Sequence, residues 1–123
     1  MSRVLIVDDE ASLRFTLSEL VSDRGHEAIT VPSGEEALAH VEQADVVVTD
    51  LSMPGMSGFE LARSMLDLRP DLPIVMTSGY LSADDQHTGV QLGLRALILK
   101  PNTVDELAGV LSQLFRSPAD PAE

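Results

Sequence analysis

The sequence predicts an α/β fold in which one five-stranded parallel sheet carries helices on both faces. Three observations carry that expectation. The runs Val4–Val7, Val46–Thr49 and Ala96–Leu99 lack the in-out alternation of a half-exposed strand, so they read as strands buried on both faces. Stretches with apolar residues at helical spacing separate the strand-like runs, and a strand-helix alternation requires right-handed crossovers and therefore parallel pairing. Each of these runs also stops abruptly at charge, at Asp8-Asp9, at Asp50 and at Lys100. Ligands bind at the carboxyl edge of open α/β sheets, so that edge is where function is expected.

The first strand spans Val4–Val7. Leu13, Leu17, Leu20 and Val21 then form one face of a helix that ends near Gly25. Ala28–Val31 is a second strand, interrupted by Thr30 as an edge strand often is, and Pro32-Ser33-Gly34 opens a helix with Ala37, Leu38 and Val41 facing inward. The third strand covers Asp45–Thr49. Pro54-Gly55-Met56-Ser57-Gly58 is a turn, and Leu61, Ala62, Met65 and Leu68 line the helix that Pro70 terminates. Pro73–Thr77 is the fourth strand. The segment from Ser82 to Leu92 is expected to be the weakest helix, because Gly89 sits mid-way and His87 and Thr88 are poor helix formers. Ala96–Leu99 is the fifth strand, and a final helix is expected to open with a Thr103–Glu106 capping box and to bury Val104, Leu107, Val110, Leu111 and Leu114. The order expected for five such strands is 2-1-3-4-5, a flavodoxin-like (βα)5 three-layer sandwich.

Residues 1–116 are thus expected to form one domain, and the Pro- and Ala-rich residues 117–123 a disordered tail. A net charge of −12 argues against direct nucleic-acid binding, which needs a basic face to displace counterions. The chain has no cysteine, which excludes disulfides and thiolate chemistry and fits a reducing compartment. No apolar run approaches the roughly 18 residues of a membrane span, and the first strand begins too early to leave room for a signal peptide. A cytoplasmic protein is expected. His26, His40 and His87 fall in unrelated segments, so no histidine metal site is expected.

In the 2-1-3-4-5 order the first and third strands are neighbours, which brings Asp8, Asp9 and Asp50 within roughly 5 to 7 Å of one another. At an effective dielectric near 20 each pair then repels by about 3 kcal/mol. Lys100 offsets part of this, and a divalent cation that favours oxygen ligands, Mg2+ in particular, would offset the rest.

Val7-Asp8-Asp9-Glu10, the stretch Thr49–Gly58, Ser78-Gly79-Tyr80 and Lys100-Pro101 together resemble the receiver domain of two-component response regulators, over residues 3–115. The resemblance implies that Asp50 accepts a phosphoryl group from a phosphohistidine on a histidine kinase or histidine phosphotransfer protein. It implies that Asp9, Asp50 and the Ser52 carbonyl hold Mg2+, with Asp8 acting through water, and that Lys100 and a strand-four hydroxyl contact the phosphoryl oxygens. Counting from Pro73, and the spacing to Lys100, both select Ser78 over its neighbour Thr77, and Thr77, Gly79 and Tyr80 then border the pocket. The helix from Ala11 to Arg24 is the docking face by the same resemblance, and the face around strands four and five and helix four would change a partner contact or a phosphorylation-dependent dimer. Such a domain is a regulatory phosphoacceptor and not an enzyme acting on a separate substrate.

Two positions depart from the family pattern. Leu97 stands three residues before Lys100, where receivers usually carry Tyr or Phe as the switch side chain, and Asn102 follows Pro101, where Phe is common. Leu97 motivates one alternative, a pseudo-receiver that binds partners without phosphorylation. A phosphohydrolase of the haloacid-dehalogenase type is disfavoured, because it needs a second acid two residues after its nucleophile and this chain has Ser52 there.

Overall fold

A computed structural model of the chain describes residues 2–100 and 102–115. The strands are β1 (Arg3–Val7), β2 (Glu27–Val31), β3 (Val46–Asp50), β4 (Ile74–Ser78) and β5 (Ala96–Leu99). They form one sheet in the order β2-β1-β3-β4-β5, and every pairing is parallel. The helices are α1 (Ala11–Asp23), α2 (Gly34–Ala37, continued by a 3-10 turn at Leu38–His40), α3 (Gly58–Leu68), α4 (Ala83–Leu92) and α5 (Thr103–Leu114). The tail expected at residues 117–123 lies outside the described residues. Among those residues no helix is long and apolar enough to cross a membrane.

Strand alternation divides the core into two layers. Val4, Ile6, Val46, Val48, Val75 and Ile98 point to the side where Leu17 and Val21 of α1 and Leu107 and Leu111 of α5 cover them. Leu5, Val7, Val47, Ile74 and Met76 point the other way, against Ala37 of α2 and Leu61, Ala62 and Met65 of α3. Leu5, Ile6, Leu17, Leu61, Leu107 and Leu111 are all at most 1% exposed, and each contributes about 1.5–3 kcal/mol by leaving water. A sheet buried on both faces this way has one solvent-facing edge where its charged strand ends can gather.

Several expectations are corrected. Thr103 is not the N-cap of α5 but its first helical residue; Asn102 takes the cap position with no side-chain capping bond. The inward stripe therefore begins at Thr103 and continues through Leu107 and Leu111, and this rotates Val104 outward, where it is exposed. Leu68 is also exposed, since it lies in the last turn of α3 beyond the covered sheet. Asp45 precedes β3 and accepts a hydrogen bond from the Arg3 backbone at 2.7 Å. α4 runs over Ala83–Leu92 with caps at both ends that the composition did not announce: Ser82 and Asp85 form a reciprocal capping box, and Gly93 closes the helix at φ +82°.

Candidate functional site

The β1–α1 turn starts where β1 leaves the sheet. The Asp8 backbone N–H still donates to Val31 O at 3.2 Å, while Asp8 Oδ1 accepts from the Glu10 N–H at 2.9 Å, a local turn that fixes its carboxylate. Asp50 ends β3, and Leu51 N–H continues the ladder to Thr77 O at 2.8 Å. Lys100 leaves β5 with its N–H bonded to Ser78 O at 2.8 Å, so its side chain starts level with the end of β4. By alternation Asp8, Asp50 and Lys100 continue the row of Ile6, Val48 and Ile98, on the side of α1 and α5.

Carboxylate oxygens of Asp8, Asp9 and Asp50 lie within 4.8 Å of one another, slightly closer than the roughly 5 to 7 Å expected. Asp8 and Asp50 are buried and Asp9 is exposed. The Lys100 ammonium lies 3.3 Å from Asp50 Oδ2 and 3.6 Å from Asp8 Oδ2, and 3.9 Å from the exposed Glu10 carboxylate, a fourth acid that the sequence argument left out. Burial pushes the Asp8 carboxyl above its ordinary value, against the Glu10 N–H and Lys100, which lower it. Burial likewise raises Asp50, reinforced by the Asp8 charge and opposed by Lys100 and the Ser52 N–H. Burial alone would lower Lys100, but Asp8 and Asp50 outweigh it and hold the ammonium above its usual range. One lysine thus leaves the buried carboxylates short of positive charge. Three convergent carboxylates with no nitrogen or sulfur donor suit a hard divalent cation.

Ser78 and Thr77 are both buried but face opposite sides of the sheet. Thr77 pairs in register with Asp50 and falls on the α1 and α5 side, beyond Val75. Ser78 follows Met76 on the other side, and its hydroxyl donates to Tyr80 O at 2.7 Å and accepts from Tyr80 N–H at 3.2 Å. With Gly79 and the exposed Tyr80 it borders a hollow of about 900 Å3 that Leu51, Ser52 and Met53 close from the β3 side. Leu97 does not reach the charged cluster; its side chain packs with the α2, α3 and α4 layer. Asn102 and Leu97 line a second hollow, of about 590 Å3, beside Tyr80 and Leu99. Bulky rings are missing at both positions, so this side of β5 is left open.

Two residues important to the geometry escaped the sequence reading. Gly58 N–H donates to Leu51 O at 2.8 Å, and a Cβ at Gly58 would stand 2.5 Å from the Asp50 carbonyl oxygen. Its signal was the Gly in a turn motif, whose role needs the close backbone approach to be seen. Arg14 donates from a guanidinium nitrogen to the Asp8 carbonyl at 2.6 Å.

Residues 4–112 match the family model described as the response regulator receiver domain. The chain belongs to that family. Receivers are regulatory switches of two-component systems and not classical enzymes, and they bind Mg2+ in an acidic pocket of this kind. Among curated relatives, the sensory transduction protein RegX3 of Mycolicibacterium smegmatis is 38% identical over 98% of this chain and 53% of its own length. The two-component response regulator PhoP of Pseudomonas aeruginosa is 34% identical over 93% of this chain and 52% of its own. This receiver therefore spans about half the length of the curated relatives it matches. Among solved structures, chemotaxis protein CheY4 of Vibrio cholerae superposes with a TM-score of 0.86 at 31% identity, covering 93% of this chain and 98% of that one. Response regulator TrrA of Thermotoga maritima, solved in complex with Mg2+ and BeF, gives 0.83 at 31% identity, covering 93% and 99%.

Proposed function

We propose that this receiver is a phosphoacceptor switch of a two-component phosphorelay, with residues 1–116 as its working unit. Asp50 is the acceptor. One of its carboxylate oxygens attacks the phosphorus of a phosphohistidine on a histidine kinase or phosphotransfer protein; an O–P bond forms, the P–N bond breaks, and its electron pair leaves with the imidazole. Asp50 needs no proton removed for this, since it reacts as the carboxylate. What the reaction needs is in-line placement and neutralisation of the phosphoryl oxygens.

The observation that carries this reading is the position of Asp50, at the end of a buried strand with Lys100 at 3.3 Å and the Asp8 and Asp9 carboxylates beside it. Asp9, Asp50 and the Ser52 carbonyl would hold Mg2+, with Asp8 contributing through water. Bound there, Mg2+ supplies positive charge to the transferring phosphoryl group. Lys100 meets the phosphoryl oxygens. Ser78 is favoured over Thr77 as the switch hydroxyl by its count from Pro73 and its spacing to Lys100, and it borders the hollow beside Ser52 and Met53. To reach the phosphoryl group it must give up its bonds to the Tyr80 backbone, and this frees the start of the β4–α4 segment to take a second arrangement. The face of α4 and β5 then presents a changed surface to an output partner or a second copy.

Intact mass after incubation with Mg2+ and a small phosphodonor tests the reading. One phosphoryl adduct, absent in Asp50→Asn, is expected. No adduct with any donor would support the pseudo-receiver instead.

A further inference from the structure

Arg14 lies in the first turns of α1, one helical turn after Glu10, whose carbonyl accepts its backbone N–H at 3.1 Å. The helix has no side-chain cap. The Arg14 guanidinium donates instead to the carbonyl of Asp8, at 2.6 Å.

The Asp8 carbonyl belongs to the peptide that joins Asp8 to Asp9. Asp8 itself is already held from two sides, by Val31 O on its N–H and by Glu10 N–H on its carboxylate. Asp9 is exposed, and among the described residues no side-chain hydrogen bond ties it in place. The orientation of the peptide between them therefore decides where the Asp9 carboxylate points. Left alone, it would turn away from Asp8 and Asp50, since like charges within 4.8 Å repel.

We propose that Arg14 is a positioning residue of the cation site, holding the Asp8–Asp9 peptide so that the Asp9 carboxylate stays turned toward Asp50 before any cation arrives. The inference rests on the reading of Asp8, Asp9 and Asp50 as the Mg2+ pocket. Arg14 acts through the backbone and touches neither the cation nor the phosphoryl group.

Two physical effects of removing Arg14 have opposite signs, and this makes the proposal testable. Deleting a positive charge beside a cation site strengthens cation binding by simple electrostatics. Releasing the peptide weakens it, because the loop must then be ordered at the moment of binding; supporting residues of this kind typically change metal affinity by about 10- to 100-fold. The proposal requires the second effect to win.

The experiment is a Mg2+ titration of the whole chain followed by amide NMR, on the wild type, Arg14→Ala and Arg14→Lys. Single-turnover phosphorylation by a small-molecule donor, which needs no docking on α1, is measured across the same Mg2+ range. Arg14→Ala is expected to raise the Mg2+ dissociation constant about 10-fold, with the rate at saturating Mg2+ nearly unchanged, and Arg14→Lys, which keeps a donor, recovers most of the loss. Unchanged or tighter Mg2+ binding in a folded Arg14→Ala overturns the proposal, as does equal weakening in both variants or a fall in the saturated rate alone. If the wild type itself binds no Mg2+, the reading of the pocket fails, an outcome distinct from these.

Discussion

Leu97 occupies the space that a side chain on Gly89 would need: a Cβ built at Gly89 would lie 2.8 Å from Leu97 Cδ1 and 3.3 Å from its Cγ. The glycine that made α4 look weak is the point where that helix comes close to β5, and Leu97 is the residue it approaches. Replacing Gly89 by Ala in a free helix would gain about 1 kcal/mol of propensity. In this protein the methyl must displace Leu97 from a packed layer, which costs about 1–3 kcal/mol. Gly89→Ala is therefore expected to be neutral to destabilising in the wild type and stabilising in a Leu97→Ala background. Denaturation of the four proteins of this cycle measures the coupling, about 1 kcal/mol if contact between the two side chains is its source. Equal effects of Gly89→Ala in both backgrounds would show that α4 does not rest on Leu97.

The strand order and the acidic edge were legible because both depend on short-range pattern: buried parallel strands are largely apolar, and a charge marks where β1, β3 and β5 leave the sheet. Asp8, Asp9, Asp50 and Lys100 met as their strand ends required. The sequence could not show what depends on approach distances between elements, and Gly58 and Gly89 looked like turn and helix-breaking residues until the Asp50–Leu51 backbone and the Leu97 side chain, respectively, were in place. Thr103 misled for a related reason. Thr followed three residues later by Glu has the spacing of a capping box, yet Leu107 and Leu111 pull Thr103 into their own stripe, and its hydroxyl ends buried with no hydrogen-bond partner among the described residues.

Gly58 offers a sharper steric test, because its neighbours are backbone. A Cβ there would stand 2.5 Å from the Asp50 carbonyl oxygen and 2.9 Å from Leu51 Cα, and neither can rotate away. The β3–α3 turn would have to open, breaking the Gly58 N–H to Leu51 O bond. Gly58→Ala is expected to lose about 1–3 kcal/mol in urea denaturation and to slow phosphodonor labelling of Asp50. Wild-type stability and labelling would mean that the turn tolerates a side chain.

The acidic pocket sets a pH dependence whose sign follows from burial. Asp8 and Asp50 have folded pKa values above those of the unfolded chain, so between the ordinary carboxylate value and the raised one the folded state holds more protons. Their contribution to stability is thus present at low pH and lost as pH rises through the raised values. In chelator, Asp50→Asn should melt higher than the wild type at pH 7, and the gap should shrink toward pH 4. Asp50 faces two carboxylates and one ammonium, so neutralising it removes net repulsion on the order of 1–3 kcal/mol. Melting curves at several pH values check this; a gap that grows on acidification would reverse the assignment.

Tyr80 is the residue through which the switch and the lifetime of the phosphoryl group are expected to meet. Its ring is 74% exposed, so it shields nothing in the arrangement seen here. Its backbone, however, is both partners of the Ser78 hydroxyl, and the hollow it borders is lined on the β3 side by Leu51, Ser52 and Met53, the residues that follow Asp50 in the chain. If Ser78 turns toward a phosphoryl group on Asp50 as proposed, the Tyr80 peptide would be released and its ring would be free to fold over that hollow and hinder the approach of water. Tyr80→Ala should then speed dephosphorylation roughly 3- to 10-fold, a barrier change of about 1 kcal/mol, while Tyr80→Phe keeps the slow rate because the ring and not its hydroxyl does the covering. The decay of the intact-mass adduct after donor removal reads this directly. An unchanged decay in Tyr80→Ala would leave Tyr80 only its backbone role, and faster decay in both variants would assign the effect to the hydroxyl.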